Sequence, residues 1–168
     1  MLGVNVWRRI LGVDRQTVIE AVDFDEEADS VVVHVRPRRS TKRLCGRCGR
    51  RAPGYDQGEG RRNWRALDLG TLVGHLQADS LRVNCPEHGP TVAQVPWARH
   101  GAGHTREFDD QLAWLVTHTA KSTVVDLMRV ADADHGNSPI SIIEIPQVLA
   151  RGGVMPETTR SGWASPPW

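Results

Sequence analysis

No apolar run in this sequence reaches the ~20 residues that a membrane-spanning helix needs, so none is expected. The opening Met1-Leu-Gly-Val-Asn-Val-Trp-Arg-Arg9 lacks the order of basic segment, apolar core and cleavage site that marks a secretory signal. Cysteine is scarce as well. Three cysteines among 168 residues cannot all pair within the chain, which excludes a complete disulfide framework. Unpaired cysteines fit a reducing compartment, where metal binding is their common use. Together these absences give a cytoplasmic expectation. Aromatic residues make up 5% and apolar residues 39% of the composition, so the core is expected to be thin. The length suits one ordinary domain or two small ones.

What the chain does contain is concentrated. All three cysteines and one histidine fall into two short clusters, Cys45-Gly-Arg-Cys48-Gly49 and Cys85-Pro-Glu-His88-Gly89. Zinc prefers four ligands drawn from thiolates and imidazoles in a closed tetrahedral site, and a Cys-x2-Cys pair supplies half of one. A glycine directly after each pair allows a tight turn that points backbone amides at the sulfurs. The pattern reads as a Cys3His zinc ribbon holding Zn2+ through Cys45, Cys48, Cys85 and His88, with His100 and His104 as alternatives for the fourth place. The 36 residues between the pairs exceed the usual spacing and are expected to hold strands of their own. Cys45-Gly-Arg-Cys48 also has the spacing of a thioredoxin-type redox motif. That chemistry needs the first cysteine at a helix N-terminus, and the flanks Lys42-Arg-Leu44 and Gly49-Arg-Arg-Ala-Pro-Gly54 do not start a helix.

The formal net charge of +1 conceals a segregation. Eleven basic residues lie between Arg36 and Arg65, namely Arg36, Arg38, Arg39, Lys42, Arg43, Arg47, Arg50, Arg51, Arg61, Arg62 and Arg65. Only Asp56 and Glu59 oppose them there, while Asp14, Glu20, Asp23, Asp25, Glu26, Glu27 and Asp29 crowd the preceding segment. Scattered charges would be read as a solvated face. Eleven cations around a knuckle favour a nucleic-acid surface whose lysines and arginines neutralise phosphates. Tyr55 and Trp64 could stack on bases, although a core role is expected for Trp64.

The organisation is α+β: a small β-rich zinc ribbon, then a short helical segment and an irregular tail. Residues 1–95 form the β-hairpin and zinc-ribbon domain, opened by a short helix within 1–13. Thr17–Asp23 and Ser30–Arg36 are rich in β-branched residues and flank the acidic turn Asp25–Asp29, which predicts a hairpin. In its second strand Val31, Val33 and Val35 should face a core. Thr71–Asn84 should be extended, broken at Gly74 or Asp79, and Val92–Val95 should add an edge strand. Residues 96–104 read as a linker. Residues 105–130 form a helical pair, the first part of a helix-turn-helix. Thr105 caps its first helix, which carries Phe108, Leu112, Leu115 and Val116 on one face. Ser122 caps the second, with Val124, Leu127 and Met128 on one side. From Ala131 the helical period is lost, and residues 131–168 read as a poorly ordered tail.

Taken together, several pieces resemble bacterial insertion-sequence transposases of the ISL-three type. They run from the strand at Val31 through Cys45-x2-Cys48-Gly49, Tyr55 and Arg61-Arg-Asn-Trp-Arg-Ala-Leu-Asp-Leu69. They continue through Leu81-Arg-Val-Asn-Cys85 and Val95-Pro-Trp97 to Thr105-Arg-Glu-Phe-Asp-Asp-Gln-Leu-Ala-Trp-Leu115. The resemblance implies a zinc-binding domain and a helix-turn-helix that recognise the terminal repeats of a transposon as double-stranded DNA. It also implies association with a further copy or with a full-length transposase. His88 stands where the family generally has cysteine. The family's nuclease domain, whose three carboxylates hold two divalent metals, has no counterpart in the 38 residues after Val130. The tail therefore resembles translation past a frameshift or deletion, and the expected function is DNA binding without strand cleavage. From another class, the alternative is a stand-alone zinc-ribbon module that binds RNA or a protein partner.

Overall fold

β-branched residues are concentrated in the first two strands, and alternation decides which side of the second is buried. A computed structural model of the chain describes residues 3–130; the expected tail at 131–168 lies outside the described residues. A short helix α1 (Val4–Ile10) leads into β1 (Thr17–Asp25) and β2 (Ser30–Pro37), an antiparallel hairpin. Its turn is made by Asp25, whose carboxylate accepts the backbone N–H groups of Glu27 and Ala28, and by Asp29 in the left-handed region at φ 45°. Val31, Val33 and Val35 are all buried, while Arg36 is exposed.

The 36-residue interval between the knuckles does hold strands, and they extend the hairpin. β3 (Arg61–Arg65) and β4 (Val73–Asp79) complete a four-stranded sheet of order β1-β2-β4-β3. β4 lies parallel to β2, with Val33 opposite Leu76, and antiparallel to β3, with Trp64 opposite Leu76. One face of this sheet packs against Trp7, Leu11, Val13, Trp97 and Ala98 as the main core.

The expected extended segment 71–84 breaks after Asp79. Ser80 donates its N–H to the Gly60 carbonyl, and the chain resumes as β5 (Arg82–Cys85). β6 (Gly89–Val92) pairs with β5, so the edge strand expected at Val92–Val95 lies earlier. The reason is local. Cys85 opposite Gly89 closes a hairpin around the second cluster, and Pro90, lacking an N–H, suits a two-stranded edge. Past Val92 the chain turns to the first knuckle instead, with Gln94 N–H on the Leu44 carbonyl and Ala93 bridged to Cys45.

Residues 96–104 connect β6 to the helices, as a linker would, but they are packed. Trp97 meets Trp64 edge to face at 5.5 Å. The backbone of Gly103–Thr105 bonds to both the N–H and the carbonyl of Arg65, covering the outer edge of β3. Helix α2 (Arg106–His118) begins at Thr105, whose side chain accepts the Phe108 N–H at 3.3 Å as an N-cap. Helix α3 (Lys121–Met128) starts two residues earlier than its sequence suggests. Its N-cap is Ala120, and Ser122 lies inside the first turn without capping. Phe108, Leu112, Val124, Met128 and Val130 form the core of this pair, with Leu67 packed against it. Leu127 departs from the expected face and is 59% exposed, because so short a helix meets α2 along a narrow side only. Arg129 ends α3 in a left-handed conformation and reaches back to the Thr71 carbonyl at 2.8 Å. No described helix is long and apolar enough to cross a membrane.

These burials give contrasting expectations for two leucines. Leu76→Ala, at a fully buried position, should cost about 2–5 kcal/mol in urea unfolding. Leu127→Ala should change stability by no more than about 0.5 kcal/mol.

Candidate metal centre and nucleic-acid interface

The two knuckles are loops carried on different parts of the fold, and β6 brings them together. The first hangs between β2 and β3; the second is the tip of the β5–β6 hairpin. Gly49 and Gly89 both adopt positive φ, 70° and 65°, as the tight turns demand. Gly46 is required for another reason. Its N–H bonds to the Val92 carbonyl at 3.1 Å, and a Cβ there would lie 2.6 Å from that same oxygen and overlap the His100 ring.

Cys45, Cys48, Cys85 and His88 converge so that one donor atom from each lies within 4.8 Å of all the others. His88 presents Nδ1 at 3.8 Å from Cys45 Sγ and 3.6 Å from Cys85 Sγ, and Cys48 Sγ lies 3.7 Å from Cys85 Sγ. A tetrahedron with metal–sulfur bonds near 2.3 Å and metal–nitrogen bonds of 2.0–2.1 Å has edges of about 3.8 Å between sulfurs and about 3.6 Å between sulfur and nitrogen. The cluster therefore has the donor set and the dimensions of a closed metal site. Backbone N–H groups complete it. Those of Arg47 and Cys48 point at Cys45 Sγ, that of Arg50 at Cys48 Sγ, and those of Glu87 and His88 at Cys85 Sγ.

The thiols respond to these contacts. His88 and the Glu87 amide hold Cys85 below its ordinary value. Burial works to raise Cys45, but the amides and neighbouring thiols outweigh it and hold that group down too. At Cys48 the Arg50 amide favours the thiolate, yet burial and the two adjacent sulfurs push the group up. Three thiolates this close repel one another unless a cation lies between them. The other histidines considered for the fourth place are engaged elsewhere: His104 is buried on the carboxylate of Asp109, and His100 lies over Gly46.

The eleven basic residues separate into two groups. Arg36 is paired with Glu20 at 2.7 Å, Arg61 with His34, Gln77 and Asp79, and Arg50 with Glu87 across the knuckles at 3.3 Å. Arg65 is largely buried, paired with Asp68 at 2.5 Å and lying over the Phe108 ring. Arg51 donates to the Ser40 carbonyl, and Arg62 to that of Ala102. Among the described residues, Arg38, Arg39, Lys42, Arg43 and Arg47 have no carboxylate partner, and all five are exposed on the strand-to-knuckle loop. Trp64 is buried in the core and presents no stacking face. Tyr55 is 54% exposed, with the Arg82 guanidinium 5.1 Å from its ring.

Composition gave no sign of one cluster. Asp109, an acid in the first turn of α2, is 1% exposed and accepts from Arg99 at 2.6 Å as well as from His104. Arg99 also reaches Asp110 at 2.7 Å. Burial alone would lower the Arg99 pKa, but the two carboxylates more than offset it and hold the guanidinium charged. The only sequence signal is the (i, i+5) His104–Asp109 spacing, too common to be read.

Residues 41–88 match the zinc-finger of transposase IS204/IS1001/IS1096/IS1165, and residues 93–133 match the helix-turn-helix domain of transposase family ISL3. Two curated relatives, both described as the transposase for insertion sequence element IS1557, come from Mycobacterium tuberculosis strains CDC 1551 / Oshkosh and ATCC 25618 / H37Rv. Each is 53% identical over 135 residues, covering 78% of this chain and 30% of the relative. The chain thus spans about a third of the length of the curated relatives it matches. No solved structure matches it.

Removing Asp109 tests the buried cluster. Asp109→Ala leaves Arg99 and His104 without their shared anion and should cost about 3 kcal/mol in chemical denaturation. Loss of Asp110, which is 60% exposed on its side chain, should cost under about 1 kcal/mol.

Proposed function

Because this chain belongs to the ISL3 transposase family across residues 41–88 and 93–133, we propose that it is a zinc-dependent DNA-binding unit of DNA transposition that engages the terminal repeats of an insertion sequence. The observation that carries this reading is the Cys3His tetrahedron, with a loop of unpaired cations built directly onto it. Zinc, when bound, supplies a structural clamp that offsets the mutual repulsion of Cys45, Cys48 and Cys85. The protein's own residues do the rest. Arg38, Arg39, Lys42, Arg43 and Arg47 approach phosphates and displace counterions. Arg51 and Arg62 add their charge, while Arg36, Arg50, Arg61 and Arg65, paired with carboxylates, act through their field. The Arg99–Asp109 pair fixes α2 to the segment that leaves the ribbon, so both parts can address one duplex.

Within the described residues the contribution is binding and positioning rather than strand cleavage. What supports this is the match itself, to a zinc-finger and a helix-turn-helix, over 30% of the length of each curated relative. Binding of transposon ends would also set this chain in competition with a longer transposase for the same DNA.

Two measurements test the proposal. The purified chain should carry one zinc, lost in Cys45→Ser and in His88→Ala but kept in His104→Ala; retention in His88→Ala would move the fourth ligand elsewhere. Fluorescence anisotropy should show tighter binding to duplexes from the element's ends than to random duplex or RNA, with affinity falling steeply between 50 and 200 mM salt. Equal affinity for all three ligands would remove the end-recognition reading and leave a general polyanion binder.

A further inference from the structure

Lys42 in the loop before the first knuckle, the end of β4, residues 92–95 and the turn at residues 99–102 enclose a small cleft whose charged lining is Lys42, Arg62, Asp79, Arg99 and His100. Two of these charges are already neutralised. Arg99 is held by Asp109 and Asp110, and Asp79, on the rim, has Arg61 4.0 Å away. Lys42 and Arg62 have no carboxylate partner among the described residues. Arg62 is nonetheless held in place, since one nitrogen donates to the Ala102 carbonyl at 2.8 Å and its guanidinium lies 5.3 Å from the Trp64 ring. Its remaining N–H groups are thereby fixed in direction before any ligand arrives. His100 is positioned by the knuckle itself, lying over Gly46, with Arg47 and Arg62 as its charged neighbours.

We infer that this cleft seats one backbone phosphate of the bound DNA, held by Lys42, Arg62 and His100. The inference rests on the DNA-binding reading above and deepens it to a named contact. Size selects the ligand group. The cleft measures about 30 Å³, space for about two water molecules, which suits the two non-bridging oxygens of a phosphodiester and excludes a base. Chemistry agrees: a guanidinium and an ammonium bring positive charge, an imidazole can donate an N–H, and arginine donors match phosphate oxygens. The location adds a consequence. A phosphate here touches the loop before the first knuckle through Lys42, the sheet through Arg62, and the turn that feeds α2 through His100. One contact would then register the zinc ribbon and the helix pair on the same strand. His100 lies outside the basic stretch and is assigned to this role by geometry alone.

The test uses the full zinc-loaded chain and an end-derived duplex, titrated at several salt concentrations. Lys42→Ala with His100→Ala should weaken binding about tenfold or more and reduce the slope of log affinity against log salt by about 1. Zinc content and circular dichroism should stay unchanged. Arg62→Lys, which keeps the charge and loses the fork, should weaken binding while keeping the slope. Arg15→Ala, an exposed cation remote from the cleft in sequence, should leave both unchanged. A single neutral methylphosphonate at one position of the duplex should reproduce the double variant's loss and add nothing to it. An unchanged slope in the double variant, beside a wild-type chain that binds, overturns the cleft alone; a wild-type chain that binds no DNA overturns the DNA reading with it. Saturable binding of inorganic phosphate that needs Lys42 and His100, with no change in the DNA slope, would assign the cleft to a free anion and likewise overturn the inference.

Discussion

Mutual repulsion among three thiolates is the constraint on which the rest of the molecule turns. Cys45 and Cys85 are both almost fully buried, and Cys48 lies 3.7 Å from Cys85. Without a cation their charges cannot coexist in so small and dry a space, as the opposing shifts of Cys48 and its neighbours already show. Among the described residues, Ala52, Val83, Ala93 and Leu81 are the apolar side chains clustered with them. Such a cluster is too small to hold two loops together by burial alone, given roughly 25 cal/mol per Å² of apolar surface. The metal site therefore stands in for a core in this half of the protein. The four-stranded sheet, with its valines, Leu76 and the Trp64–Trp97 pair, needs no such help.

From the ribbon the order passes outward by direct contacts. Gly46 bonds to Val92, Gln94 to Leu44, and the chain then enters the core at Trp97 and Ala98. Arg99 and His104 meet on Asp109, inside the first turn of α2. Asp109 lies near the helix N-terminus, where the backbone dipole also favours a negative charge. A carboxylate that in isolation would merely suit a helix start thus becomes the joint between ribbon and helix pair. Arg65 reinforces it from the sheet side, with its backbone bonded to Gly103 and Thr105 and its guanidinium over Phe108.

What could be read in advance was local. Ligand identity and spacing revealed Cys45, Cys48, Cys85 and His88; strict alternation revealed Val31, Val33 and Val35; a capping threonine before an apolar period revealed Thr105 and α2. What could not be read depends on partners distant in the chain. Nothing near Val73–Asp79 says that it lies parallel to β2, a pairing fixed by long-range packing of Leu76 against Val33. Ser122 and Leu127 depart from expectation because α3 is barely two turns long, so a two-residue shift in its start changes both cap and face. Residues 96–104 have a linker's composition, and Trp97 is their only sign of burial.

Charge shows the same limit most sharply. Along the sequence, acids crowd before Asp29 and cations after Arg36, as if the two were separate surfaces. The hairpin undoes part of that separation, because antiparallel pairing sets Glu20 beside Arg36 and Asp23 beside His34. β4 then brings Asp79 to Arg61, and the Leu67–Leu69 segment brings Asp68 to Arg65. These pairs consume Arg36, Arg61 and Arg65, while Arg62, also on β3, meets the Ala102 carbonyl instead. The part of the β2–β3 loop that pairs with β5 is residues 53–56, and the fold brings no acids to Arg38, Arg39, Lys42, Arg43 and Arg47. Strand pairing thus sorts the arginines, neutralising those within its reach and leaving a positive surface where the backbone is instead held by the knuckle.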